Sequence, residues 1–173
     1  MKKLLTLSIA FLLCLGIAGC SSNTEDQQSD GSSEPKTEEQ TEKNETKVDK
    51  INLDNSEGTL TYVKHEVTTD YDGNDAIRVY YSYTNKKEDA SSAQMTFYPQ
   101  AFQNGVECDM AFVADENEAS NNAAKDIQKG TTIEIAFEYV LTDVENPVTI
   151  KVTDQSAENL VDNIYQEQEL SLK

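Results

Sequence analysis

From about residue 50 onward, apolar and polar side chains alternate with a period of two. Ile77, Val79, Tyr81 and Tyr83 interleave with Arg78, Tyr80, Ser82 and Thr84, the pattern of a half-buried strand. Ile133, Ile135, Phe137, Tyr139 and Leu141 repeat it against Thr132, Glu134, Ala136 and Glu138, and Val148, Ile150 and Val152 repeat it against Thr149 and Lys151. The stretch Thr59 to Val67 is strand-like, but its apolar phase slips between Leu60/Tyr62 and Val63/Val67, as a β-bulge would cause. Ile164 to Leu172 alternates less cleanly and reads as a closing edge strand with its glutamates on the wet side. Turn chemistry punctuates these runs at Asp72-Gly73-Asn74-Asp75, at Asn104-Gly105 and at Gln128-Lys129-Gly130. No long stretch has a helical period, although Asn121 to Ile127 or Ser156 to Val161 has room for a helical turn. Seven to eight short strands with turn chemistry between them predict an all-β fold, a β-sandwich.

The first 49 residues follow a different pattern. Met1-Lys2-Lys3 is basic, and Leu4 to Ala18 is an apolar run of about fifteen residues, short of the roughly twenty that span a bilayer and typical of a secretory signal. Ile17-Ala18-Gly19-Cys20 places an aliphatic residue and two small residues before a cysteine, the lipobox pattern. Resemblance to bacterial lipoproteins implies that cleavage falls between Gly19 and Cys20, and that the Cys20 thiol carries a diacylglyceryl group. The expected location is then the outer face of the cell membrane, with the remainder extracellular. Residues 21–49 hold nine acids and three lysines, with Val48 as the single large apolar residue. That composition cannot offset its chain entropy by burial, so residues 20–49 are expected to form a lipidated, disordered acidic tether, with a root-mean-square span of roughly 30 Å. The expected organisation is a signal peptide over 1–19, the tether over 20–49 and one sandwich domain over 50–173.

Charge and rare residues narrow the chemistry. Of 173 residues, 32 are acidic and 14 basic, and a net charge of −18 argues against nucleic acid as a partner because both would repel. One histidine, His65, leaves no His-pair metal site, and it reads as an ordinary strand residue. With Cys14 in the signal and Cys20 lipidated, Cys108 is the one remaining thiol, so no intramolecular disulfide is expected. Without a neighbouring base in sequence, Cys108 reads as a small buried hydrophobe rather than a nucleophile.

The domain also resembles a known family. Ile77 to Asn85, Gln100 to Cys108, and Lys125 to Gly130 followed by the strand ending Tyr139-Val140-Leu141 are similar, in that order, to domain-of-unknown-function family 5067, found on lipoproteins of Gram-positive bacteria. The resemblance implies an immunoglobulin-like sandwich at the cell surface and carries over no catalytic or ligand residue. The chain lacks the paired cysteines and core tryptophan of antibody domains.

Three clusters are candidates for function. Asp70, Asp72 and Asp75 crowd around Gly73 and have the oxygen chemistry calcium requires, though the spacing is not that of an EF-hand and hairpin turns use the same residues. Asp115, Glu116 and Glu118 lie on a long connection, where binding often resides. Tyr80 shares its face with polar residues and marks a contact surface or a half-covered outer sheet. No phosphate loop, G-x-S-x-G elbow or C-x-x-C is present, and close carboxylate pairs are expected by chance among so many acids. The expectation is a non-enzymatic module, without a cofactor beyond the lipid on Cys20, binding an extracellular protein or glycan. The alternatives are a calcium-dependent binding module and a carboxylate-based hydrolase of cell-wall glycan.

Overall fold

The computed structural model describes residues 46–173, so the expectations for the signal, Gly19, Cys20 and most of the tether lie outside the described residues. Eight strands form two four-stranded sheets, as the alternation predicts. In chain order they are β1 (Asn52–Asp54), β2 (Gly58–Thr69), β3 (Asp75–Asn85), β4 (Phe97–Gln103), β5 (Val106–Glu107), β6 (Thr132–Val140), β7 (Val148–Asp154) and β8 (Tyr165–Leu170). Sheet 1 has the order β1-β2-β3-β6 and sheet 2 the order β5-β4-β7-β8, with every named strand pair antiparallel. β2, β3 and β6 take the places of strands A, B and E of an immunoglobulin domain, and β4, β7 and β8 those of C, F and G. Between β5 and β6 the chain lays no named strand beside β6. It makes a single bridge from Met110 to Tyr139, then forms the five-residue helix α1 (Glu118–Asn122).

Local chemistry explains the elements. The phase slip in β2 is a register shift between Tyr62 and Lys64, which leaves Val63 as the extra residue. Asn104 and Gly105 both take positive φ, 54° and 79°, as a two-residue hairpin turn between β4 and β5 requires. Gly58 is demanded by packing: a Cβ there would lie 3.1 Å from the Thr84 carbonyl and 3.3 Å from the Phe97 ring. The helix begins three residues before the expected Asn121, because the Asn117 side-chain oxygen accepts from the amides of Ala119 and Ser120 at 3.0 and 3.2 Å. Residues 156–161 form turns and no helix. The expected domain boundary at residue 50 also moves: Lys47 bridges Glu167 of β8 in parallel, and Val48 N–H donates to the Glu167 carbonyl at 2.8 Å, so the folded unit includes the last residues assigned to the tether.

The core lies between the sheets. Ile77, Val79, Tyr81 and Tyr83 from β3 meet Phe97, Ala101, Val148, Ile150, Val152 and Leu170 from sheet 2. The Tyr81 ring packs edge-on against Tyr62 and Phe137, with centroids 6.4 and 6.2 Å apart. Cys108 packs half-buried against this core, and burial raises its thiol pKa, which fits the small-hydrophobe expectation. A polar cluster closes one end. Buried Asp154 accepts from Asn55 Nδ2 at 2.9 Å, the Ser156 amide at 2.8 Å and Asn159 Nδ2 at 2.8 Å, tying the β1–β2 connection to the segment after β7.

Candidate functional site

The outer face of sheet 1 is covered around Arg78 and Tyr80, while Ser82 and Thr84 further along β3 stay partly exposed. Register decides this, because Arg78 of β3 lies opposite Glu66 of β2 and Glu138 of β6. Its guanidinium donates through Nη1 to Glu66 Oε1 and through Nε to Glu138 Oε1, both at 2.9 Å, and through Nη1 and Nη2 to the two oxygens of Asp115. Arg78 is 2% exposed, and the ion pairs hold the connection between β5 and β6 against the sheet. Tyr80 joins the same lock. Its hydroxyl donates to Glu66 at 2.7 Å and accepts from Asn117 Nδ2 at 2.9 Å, while Lys64 sits 4.4 Å above its ring. The Ser120 hydroxyl donates to Glu138, and Ala119 packs on Tyr80 and Ala136.

The electrostatics follow. The guanidinium pKa is raised, first by Asp115 and then by Glu138 and Glu66, despite the burial that opposes its charge. Asp115 is held below the usual carboxylate range by Arg78, and Glu66 by the Tyr80 hydroxyl with help from Arg78. With Nε, Nη1 and Nη2 all bonded to carboxylates, this arginine is a fastener and not a docking point for an anion.

Several expected site residues therefore change role. Tyr80 is 4% exposed and offers no contact surface, because α1 and its approach lie over it. Asp115 belongs to the lock, whereas Glu116 and Glu118 are exposed, with Glu118 in the first turn of α1. The Asp70–Asp75 cluster is a turn. Asp70 accepts from the amides of Asp72 and Asn74 at 3.0 and 2.7 Å and from Asn74 Nδ2 at 2.9 Å, while Asp75 opens β3. Among the described residues no three carboxylate, histidine or cysteine side chains converge as a metal centre requires. His65 is spent on structure: its Nδ1 meets the Tyr62 hydroxyl at 2.7 Å and its Nε2 the Ser171 carbonyl at 2.9 Å.

Among the described residues, nothing covers the outer face of sheet 2. Register sets three rows across it, Phe102/Thr149/Glu169, Gln100/Lys151/Glu167 and Tyr98/Thr153/Tyr165, and every one of these side chains is at least partly exposed. Lys151 Nζ lies 4.4 Å from the centre of the Tyr165 ring. A depression of about 530 Å³ runs over Phe102, Thr149, Lys151 and Glu167 to a rim at Gly105 and Pro147. Thr149 and Glu167 also border a second hollow of about 250 Å³ that reaches Lys47 and Asp49.

The rim of the larger depression is held from inside. Buried Gln103 donates from Nε2 to the carbonyls of Asp143 and Asn146 at 2.9 and 3.0 Å, and its Oε1 accepts from the Thr142 amide at 2.7 Å. The Asp143 carboxylate accepts from Asn146 and Glu145 amides, which hold its pKa down to about 2. The face thus combines aromatic surface, amide and hydroxyl groups, one cation and carboxylates on a rigid sheet, which suits recognition by contact. Thr149 and Lys151 were legible as outward positions, and Glu167 as one of the glutamates on the wet side of the last strand; Tyr98, Phe102 and Tyr165 were not singled out by any local signal.

The sequence profile of DUF5067, a domain of unknown function, matches residues 33–154. The chain belongs to this family. The matched span ends at the last residue of β7, so β8 lies beyond it. Among solved structures, a candidate lipoprotein from Staphylococcus aureus is 12% identical with a TM-score of 0.54, covering 70% of this chain and 88% of its own. An NMR structure of a protein from Enterococcus faecalis is 22% identical with a TM-score of 0.54, covering 70% of this chain and 90% of its own. Both share the fold. No curated protein matches the chain. No helix among the described residues is long and apolar enough to cross a membrane.

Proposed function

We propose that this DUF5067 protein is a lipid-anchored extracellular module that binds a partner through the open face of sheet 2. One observation carries the choice of face: a depression of about 530 Å³ on a partly apolar, partly polar sheet surface, beside a rim pinned by Gln103. On the opposite face α1 and its approach bury Arg78 and Tyr80, and the hollow left beside Arg78 is the smaller one, about 200 Å³. Anchorage is supported by Ile17-Ala18-Gly19-Cys20 behind a basic start and an apolar run. Two acyl chains, each contributing about 0.8 kcal/mol per buried methylene, would hold the chain stably at a membrane.

The partner is an extracellular glycan or protein, met by contact and not transformed. Two measurements test this. The full chain in nonionic detergent, titrated with solubilised wall polymers and secreted proteins, should bind one of them, and Phe102→Ala with Lys151→Ala should weaken that binding at least about tenfold. Unchanged affinity in the double variant would move the site elsewhere. Separately, metabolic labelling with a fatty-acid analogue should mark the wild-type chain and not Cys20→Ala; label retained in that variant would remove the anchor.

A further inference from the structure

The edge of sheet 1 formed by β2 is self-complementary. β1 covers only the start of β2, pairing with residues 59–61, and Tyr62 N–H donates to the Ile51 carbonyl at 3.0 Å. From Lys64 to Thr69 the flank of β2 turned away from β3 has no backbone partner among the described residues. An uncovered edge is a template for another strand, and its side chains decide which one it accepts.

Here the side chains are arranged symmetrically about Val67. Val67 itself is 42% exposed. Lys64 and Asp70, of opposite charge, lie three residues to either side of Val67. If a second copy of this segment runs antiparallel about Val67, then Val67 faces the partner's Val67, His65 faces the partner's Thr69 and, at the end of the free flank, Lys64 reaches the partner's Asp70. Glu66 then faces the partner's Thr68, leaving no like charges opposed. A slip of two residues one way sets Glu66 against the partner's Glu66, and a slip the other way sets Glu66 against the partner's Asp70. A slip of one residue turns every side chain to the wrong face. The register also fits the space: the free flank from Lys64 to Thr69 stops short of Ile51, and the turn after Thr69 bends back toward β3.

We infer that the protein pairs with a second copy of itself through the β2 edge, joining the two copies of sheet 1 into one continuous sheet. The net charge of −18 opposes this contact, so the pairing is weak in dilute solution and strengthens as chains are concentrated. It needs neither the lipid anchor nor the face of sheet 2.

The test uses the full chain, purified in nonionic detergent, with Cys14, Cys20 and Cys108 replaced by serine and Val67→Cys supplying the single thiol. Residues directly opposed in an antiparallel pair have Cβ atoms about 4.5–5.5 Å apart, which a disulfide closes with a small shift. Under oxidised glutathione the Val67→Cys chain should form a disulfide-linked dimer at least about tenfold faster than a control with Val161→Cys, a site 92% exposed and away from the edge. Adding Lys64→Glu to the Val67→Cys chain should slow its dimerisation about fivefold more than the same substitution slows the Val161→Cys chain, a ratio that cancels any loss of stability from the contact between Lys64 and Tyr80. Dimer no faster at position 67 than at position 161, or a ratio of the two rates untouched by Lys64→Glu, would overturn the inference.

Discussion

The two outer faces of the sandwich are built from the same alternating strands and end in opposite states. On sheet 1, the outward residues Arg78 and Tyr80 of β3 are buried under α1 and its approach, at 2% and 4% exposure, while Ser82 and Thr84 further along keep partial exposure. On sheet 2, outward residues of β4, β7 and β8 all keep contact with solvent. The difference arises from one long connection: the chain between β5 and β6 folds over sheet 1 and is fastened there by three carboxylates sharing one guanidinium. A face held this way is committed to stability. The other is available for binding, since its side chains are positioned by the ladder without being covered.

The contrast can be broken by substitution, and the largest effect is expected at Arg78. Arg78→Met leaves Glu66, Asp115 and Glu138 without their shared cation. It should cost about 3 kcal/mol in urea denaturation, the lower part of the range for a broken buried pair because Glu66 and Asp115 reach solvent. A cost under about 1 kcal/mol would show that the lock is ornamental. Asn117→Ala removes the helix cap and the hydrogen bond to Tyr80 together, and should cost about 1–2 kcal/mol while making amides of α1 exchange faster.

Acid should act on the same side of the comparison. Asp115, Glu66 and Asp154 all have folded pKa values below their ordinary ones; burial raises Asp154, but its bonds from Ser156, Asn55 and Asn159 outweigh that. Groups depressed in the fold contribute stability that is complete above the ordinary carboxylate range and is lost as pH falls through their lowered values. Melting temperature should hold level from pH 7 to about 5 and drop below about 4. In Arg78→Met that drop should be shallower, and a parallel drop would assign the acid loss to depressed carboxylates outside the lock, Asp154 and Asp143 among them. The smallest effect is expected on the open face. Phe102→Ala with Lys151→Ala should change stability by no more than about 1 kcal/mol, since both side chains remain partly exposed, while removing partner binding.

Much of this was readable before any coordinates. Alternation at 77–83, 133–141 and 148–152 marked β3, β6 and β7, and the slipped phase near Val63 marked the bulge. Asn104-Gly105 marked a hairpin because those residues tolerate the left-handed backbone the turn needs. β1 escaped notice because three residues give too little alternation to register, and β4 was seen only at its end because Pro99 interrupts the strand signal. The helix cap at Asn117 was present in the chain but lay inside an acidic stretch that reads as solvated loop.

By itself, the chain determined its strands, their inward faces and its acidic character, since each depends on near neighbours or on composition. That Arg78 and Tyr80 are covered was settled only in three dimensions. Arg78, Glu66, Asp115 and Glu138 are separated by up to 72 residues along the chain, and register alone aligns three of them while the crossing connection delivers the fourth. No local pattern encodes that meeting, because an arginine on an alternating strand looks the same whether water or three carboxylates surround it.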